Sequence, residues 1–475
     1  MPGSSWLAGL RSRLSGGRER EDGLGILAFE AAAAMSRLVS LHRSLSDAEV
    51  RRLRGDALRA EGVARLTSTD QSLLLRLACG ELVADLDRAA GTASRLGHAR
   101  CPDGEPLLRD FDRVYAEAKR GSLARLDATA GFSFSRGAGK RFREMERHVA
   151  ATAKLYAEMD SLTELESSER RMEQWRQHSG PIIPAQSANS KRQQEPSEKL
   201  VRELRLQRHK VRRLMEGSLW SVAPRKAAKL MAKSVLAVLA RISVAFGASV
   251  PGLPLPPLAA GRQASWALGH SSGPLHRLTA TPADAAIRHS APIFRPKDAA
   301  MPASESLKPA ATTVGGSGME LLYANVIVSA ETLLKALRPA IRNEEVAQDG
   351  LELSMRDELY KMLPVTIRAA VKAKLRERRR EQRQMDEEAA AAAMDAVERV
   401  LRWLGPMARD TQRWHDERSM ERGQRFSMRP RAPMVQTLHF ADRRKAEAAI
   451  VEVLVGLSCA CWYDDERRRP AGWDE

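Results

Sequence analysis

Across residues 319–463, apolar side chains recur at steps of three and four, the spacing that gathers them on one side of an α-helix. Leu322, Val326, Ser329, Leu333 and Leu337 form the first such stripe. A short second helix is expected over 357–363, with Asp357 and Glu358 in its first turn, where the backbone dipole favours acids, and Pro364 stopping it. A third carries Ile367, Ala370, Val371 and Leu375 inward and runs on into LRERRREQR. The fourth holds Val397, Val400, Leu401 and Leu404 and is expected to end at Gly405-Pro406. Pro406 then opens a fifth that places Met407, Thr411, Trp414 and Arg418 on one side. The last, from about Val435, carries Leu438, Ile450, Val453, Leu454 and Leu457. Amphipathic helices joined by connections this short pack as a bundle.

The N-terminal part shows the same period. Leu27, Ala31, Ala34, Leu38 and Leu41 make one stripe, and Ser46-Asp47-Ala48-Glu49 reads as a capping box that starts the next helix, with Val50, Leu53 and Ala57 inward. Ser68-Thr69-Asp70-Gln71 repeats that signature ahead of Leu73, Leu74, Leu77, Leu82 and Leu86, and Gly97 marks the end of that helix. A turn over 102–106 leads to Leu108, Phe111, Val114, Tyr115 and Ala118 on a fourth helix. From Gly139 to Trp175 no Pro or Gly interrupts a polar helix in which Met145, Val149, Thr152, Tyr156 and Met159 alternate steps of four and three, a heptad seam. Leu200, Leu204, Gln207, Val211 and Leu214 repeat those steps after a break near 178–197. Two arrangements satisfy this pattern: an antiparallel hairpin or coiled-coil arm, or two helices lying on the N-terminal bundle. Residues 248–318 carry no hydrophobic period and are rich in Pro, Ser, Ala and Gly, a composition that buries too little apolar surface to offset the entropy of ordering. The expected organisation is a tail (1–23), an N-terminal helical domain (24–135), a long charged helix (136–177), a linker (178–198), a helical segment (199–247), a disordered Pro-rich linker (248–318), a C-terminal bundle (319–463) and a tail (464–475). The fold class is all-α.

Composition agrees, since aromatics are 5% of the 475 residues while Ala, Leu, Arg and Glu dominate. A formal charge of +17 attracts nucleic acid, anionic lipid or an acidic protein, and by itself does not choose among them. Four cysteines, at 79, 101, 459 and 461, are too few and too irregular for a disulfide framework. The most apolar window, 230–246, contains Lys233 and Arg241 and so reads as a buried or interfacial helix. No secretory apolar region is evident near the N-terminus, and Pro2 stands where N-myristoylation needs glycine, so the protein is expected to be neither secreted nor myristoylated.

Candidate chemistry is sparse. Gly315-Gly316-Ser317-Gly318 follows no strand and lacks the Lys-Ser/Thr of a phosphate loop. Cys459 and Cys461, two apart on a helix, diverge and read as small buried thiols. No HExxH pair occurs, and no catalytic residue, metal or cofactor is assigned. The sharpest feature is Lys372, Lys374, Arg376, Arg378, Arg379, Arg380 and Arg383, seven cations within twelve residues. They read as a nuclear-import or anion-binding surface, against the plainer alternative of a solvated helix end. The run from Arg202 to Arg213 has the same ambiguity, and neither run is interleaved with aromatics.

Taken together, LGILAFEAAAAMSRLVSLHRSLSDAEVRRLR, LLLRLACGELVADL, EMERHVAATAKLYAEMDSLTELE, AKSVLAVLARISVAFG, DELYKMLPVTIRAAVKAKL, VLRWLGPMARDTQRWHDER and QTLHFADRRKAEAAIVEVLVGL resemble the plant phytosulfokine-simulator family. The resemblance implies paired N- and C-terminal helical domains of unknown function in a non-enzymatic plant protein that promotes growth in connection with phytosulfokine peptide signalling. It carries no catalytic residue with it. Arg444 stands where relatives more often have an acid, so Arg443, Arg444 and Lys445 form a second basic patch. The expectation is a nuclear helical scaffold that binds other proteins and takes no small-molecule substrate, with a nucleic-acid-associated protein as the alternative and the cytoplasm or membrane periphery as the other locations.

Overall fold

The computed structural model describes residues 23–100, 106–129, 133–178, 196–250, 252–253, 307–341, 349–381, 386–418 and 425–467. Among the described residues the chain is helical, and its one extended pairing is an antiparallel bridge between Thr313 and Asp442. The all-α expectation holds. Most of both expected tails, of the 178–198 break and of the Pro-rich linker lies outside the described residues, as do Cys101 and Arg383, while the last helix runs four residues into the expected C-terminal tail.

Two hydrophobic cores organise the helices. In chain order the first part comprises α1 (Leu27–Ser44), α2 (Asp47–Arg52), α3 (Glu61–Leu66), α4 (Gln71–Arg100), α5 (Pro106–Arg109), α6 (Phe111–Glu117), α7 (Leu123–Ala128), α8 (Ala138–His178), α9 (Pro196–Gly217) and α10 (Pro224–Phe246). Ser46 starts α2 as expected, its side chain accepting from the Glu49 N–H at 3.4 Å. At α4 the cap falls on Asp70 and not on Ser68: Asp70 Oδ1 accepts from the N–H groups of Ser72 at 2.8 Å and Leu73 at 3.3 Å. These bonds, with that from the Ser72 hydroxyl foremost, hold the Asp70 carboxyl below its usual range. Helix α10 is the apolar window of the sequence, and it lies in the first core with Val235, Leu236, Val238, Leu239, Ile242 and Phe246 fully buried.

The heptad helices pair with each other and also lie on the first core. Met145, Val149, Thr152 and Met159 of α8 are buried, and α8 packs on α1 along one side and on α9 along another. Helices α8 and α9 run antiparallel, joined by Gln207 donating to the Glu158 carbonyl at 2.8 Å and by Arg208 and Lys210 pairing with Glu166 at 3.2 Å and Glu158 at 2.7 Å.

The second core is built from α11 (Glu320–Ile341), α12 (Asp349–Met362), α13 (Val365–Glu381), α14 (Glu387–Arg418) and α15 (Arg443–Arg467). Several details differ from the sequence reading. Helix α12 begins at Asp349, which puts Asp357 and Glu358 in its interior. Ala370 of α13 faces solvent. Helix α14 continues through Gly405-Pro406. Proline in a helix interior costs about 3 kcal/mol, but the stripe Val397, Leu401, Leu404, Ala408 and Thr411 stays buried across it. Burying Leu404 and Met407 at roughly 1.5–3 kcal/mol each outweighs that cost. The last helix starts at Arg443, because Val435 and Leu438 are buried from two 3₁₀ turns, Met434–Gln436 and Leu438–Phe440, ahead of it.

Residues 307–318, expected as the end of the linker, are held to this core through Val314. Val314 is fully buried and its N–H donates to the Ala441 carbonyl at 2.9 Å, while the Arg443 N–H donates to the Thr312 carbonyl at 3.0 Å. Backbone pairing of this kind leaves no hydrophobic period to read. Gly315 fits because a side chain there would meet the His439 carbonyl at 2.5 Å, and Gly318 takes a left-handed φ of 67°.

The two cores interlock. Helix α4 threads both, with Leu74 and Ala78 in the second core and Cys79, Val83, Leu86 and Leu96 in the first. Leu58, Val63 and Leu66 also enter the second core, and Phe426 crosses back into the first. Gly62 of α3 lies so close to α14 that a Cβ would fall 2.6 Å from the Trp403 carbonyl.

Candidate functional site

Where α4 crosses between cores, its apolar face carries two acids four residues apart, Glu81 and Asp85, both buried. Trp414 and Arg418, which the period placed on the inner side of α14, meet the first of them. Glu81 Oε1 accepts from Trp414 Nε1 at 3.2 Å and from the Arg418 guanidinium, and Glu81 Oε2 accepts from the Met434 N–H at 2.7 Å. Asp85 pairs with Arg88 and lies 3.6 Å from Arg431 Nη1, and Arg37 faces the same group of charges. Burial raises the Glu81 pKa and the Arg418 charge opposes that rise, so the pair is mutually dependent. Backbone carbonyls close the junction on the other side: Ser40 donates to the Arg429 carbonyl at 2.7 Å and Arg43 to that of Met428 at 3.0 Å. The arrangement holds two helices of the N-terminal part, α4 and α1, to the 425–434 segment, and α4 to α14 as well. Sequence reading missed it, although two acids at a four-residue step on an apolar stripe were a usable signal.

A second polar cluster borders the junction. Glu320 lies 3.6 Å from His439 Nδ1 and 3.8 Å from His415 Nε2, and the His439 ring centroid is 5.6 Å from that of Trp414. Among the described residues no group of His, Cys, Asp and Glu is arranged to hold a metal ion. Burial pushes the His439 imidazole below its ordinary pKa, with Glu320 opposing. His42, stacked on Phe142 at 3.8 Å, and His148 are lowered by burial as well. The folded chain thus refuses protons that the unfolded chain accepts near pH 6.5, so the unfolded state binds more protons below that value and stability rises with pH. Thermal unfolding midpoints are expected to fall between pH 7.5 and 5.5 and to be flat above it. The triple replacement H42Q/H148Q/H439Q is expected to reduce that slope, and an unchanged slope would contradict the assignment.

The thiols are structural. Cys79, Cys459 and Cys461 form no disulfide and are buried, and desolvation pushes Cys79 up to about 12 and also raises Cys459. Arg443–Tyr463 has the length and hydropathy of a membrane span, but it is a helix of the second core.

Lys372, Lys374, Arg376, Arg378, Arg379 and Arg380 all lie exposed on α13. The fold brings aromatics to them that sequence proximity did not: Lys372 Nζ sits 5.8 Å from the Tyr360 ring and the Arg379 guanidinium 5.3 Å from that of Trp462. The second patch is divided. Arg444 and Lys445 are exposed, whereas Arg443 Nε donates to Glu447 Oε1 at 2.7 Å, the same carboxylate oxygen that accepts from the Tyr323 hydroxyl at 2.5 Å. The structure does not bring the α13 cations together with the ionic junction.

Residues 26–82 match a domain of unknown function (DUF3475), and residues 313–413 match a protein of unknown function (DUF668). Three curated proteins of Arabidopsis thaliana are similar over nearly all of the chain. Protein PSK SIMULATOR 1 is 26% identical over 446 residues, 91% of this chain and 55% of that protein. Protein PSK SIMULATOR 2 is 25% identical over 470 residues, 96% of this chain and 62% of that protein. For Protein PSK SIMULATOR 3 the figures are 27% over 457 residues, 93% and 57%. The chain therefore spans somewhat over half the length of these relatives. No solved structure matches. The resemblance drawn from the sequence holds, and both members of the expected domain pair are present in order.

Proposed function

We propose that this chain, which carries the domain pair of the phytosulfokine-simulator proteins, is a non-enzymatic plant regulator of growth linked to phytosulfokine signalling. It acts inside the cell, in the nucleus, as a helical scaffold that presents fixed surfaces to protein partners. The observation that carries the reading is the similarity to three PSK SIMULATOR proteins over 91–96% of the chain. The interlocked cores support the scaffold part of it. Helix α4 and residues 425–434 tie the two matched domains into each other, so surfaces on both keep a set relation. A rigid presenter pays less ordering entropy on binding than two loosely tethered domains would.

The test is complementation. In Arabidopsis thaliana plants lacking the three relatives, expression of this chain is expected to restore the root-growth response to applied phytosulfokine. A chain that accumulates to normal levels without restoring the response would overturn the proposal.

A further inference from the structure

The two basic runs, alike in sequence, are used differently by the fold. On α9, Arg208 and Lys210 are held by Glu158, Glu166 and Glu169 of α8, so part of that run is committed to the helix pair. On α13, among the described residues, no carboxylate pairs with Lys372, Arg376, Arg379 or Arg380. At about 100° per residue these four fall on one stripe with Arg368, away from the buried Ile367 and Val371. Val365 and Ala369 share the stripe, Ala373 and the half-buried Leu375 border it on either side, and Glu377 falls further off. From Arg368 to Arg380 the stripe runs roughly 18 Å at the α-helical rise.

Its anchoring narrows the partner. Arg368 lies 4.8 Å from the Tyr360 ring and donates to the Leu363 carbonyl at 3.2 Å; Lys372 covers the same ring and Arg379 covers Trp462. The rings thereby help to hold the cations in line. Beside its five cations the stripe exposes only Val365, 79% exposed, and the partly covered Tyr360 ring, 41% exposed, as large apolar or aromatic groups, too little to sink into a bilayer or to form a hot-spot cluster for a protein partner. A linear, preordered, acid-free array with little apolar surface matches a linear polyanion bound through its phosphates.

We infer that the exposed stripe of α13, Lys372, Arg376, Arg379 and Arg380, is a sequence-independent contact surface for the phosphate backbone of double-stranded nucleic acid. This goes beyond the scaffold reading and does not depend on it.

The probe is a fluorescein-labelled random duplex of about 20 base pairs, titrated with the full chain by anisotropy over a series of KCl concentrations. Four unpaired cations at about 0.9 counterions each give an expected slope of log K against log[KCl] near −3.6. R376A/R379A/R380A is expected to reduce its magnitude by about 2.7, with helical circular dichroism unchanged because the three side chains are exposed. R205A/R213A on α9 is expected to leave the slope as it is. Absence of salt-sensitive binding, an unchanged slope in the triple variant, or tighter binding to poly-glutamate or phosphatidylserine vesicles at equal charge would each overturn the inference.

Discussion

Arg418→Ala is expected to lower the unfolding free energy by about 3–5 kcal/mol, the usual consequence of removing one partner from a buried ion pair. The reasoning rests on what is left behind. Glu81 is 7% exposed, and without Arg418 it retains only the neutral donors Trp414 Nε1 and the Met434 N–H. Burial already pushes its carboxyl toward the protonated form, and Arg418 is the charge that opposes this. An uncompensated carboxylate in that position must either take up a proton or draw in water, and both weaken the contact between α4 and α14. Glu81→Gln in the same chain removes the stranded charge, so the double variant E81Q/R418A is expected to be more stable than R418A alone. Urea midpoints for the wild type, both single variants and the double variant give the coupling directly. A loss below about 1 kcal/mol for R418A would place this pair among ordinary surface ion pairs and would remove the junction from the account.

Much of this architecture was readable from residue spacing, because stripes of aliphatic side chains report burial wherever the partner surface is simply apolar. The alternating four-and-three steps of Met145, Val149, Thr152, Tyr156 and Met159 gave the inner face of α8, and Ser46 gave the start of α2. What escaped was whatever depends on a distant partner. Glu81 meets Trp414 and Arg418 across 333 and 337 residues of chain, and nothing local to LACGELVADL names those partners. Pro406 misled for a related reason: local rules weigh its missing donor, while the helix is decided by packing of Leu404, Met407 and Ala408 on either side. The segment around Thr313 and Val314 has the composition of a linker, yet backbone hydrogen bonds to Ala441 and Arg443 hold it, and these leave no periodic trace. The basic helix α13 was visible as charge, yet its ordering by Tyr360 and Trp462 was not, since those rings arrive from α12 and α15.

Interlocking also bears on the boundary between the two matched domains. The sequence suggests bodies joined by a tether, whereas Leu58, Val63, Leu66 and Leu74 of the first are buried in the core of the second. At roughly 1.5–3 kcal/mol for each buried aliphatic side chain, these four contribute on the order of 6–12 kcal/mol to cohesion. Association of separate halves costs roughly 4–15 kcal/mol in lost freedom, and the Glu81 junction, the Asp442 N–H donating to the Leu66 carbonyl at 2.7 Å and Phe426 in the first core add to the favourable side. Covalent continuity through residues 254–306 is then not needed to keep the halves together.

The most direct measurement is therefore a cut. With a specific protease site placed within residues 254–306 and the chain fully cleaved, the account predicts that both fragments co-elute on size exclusion at about 1 μM, at the position of the intact 52.5 kDa protein. Elution as two separate species, each folded by circular dichroism, would contradict it.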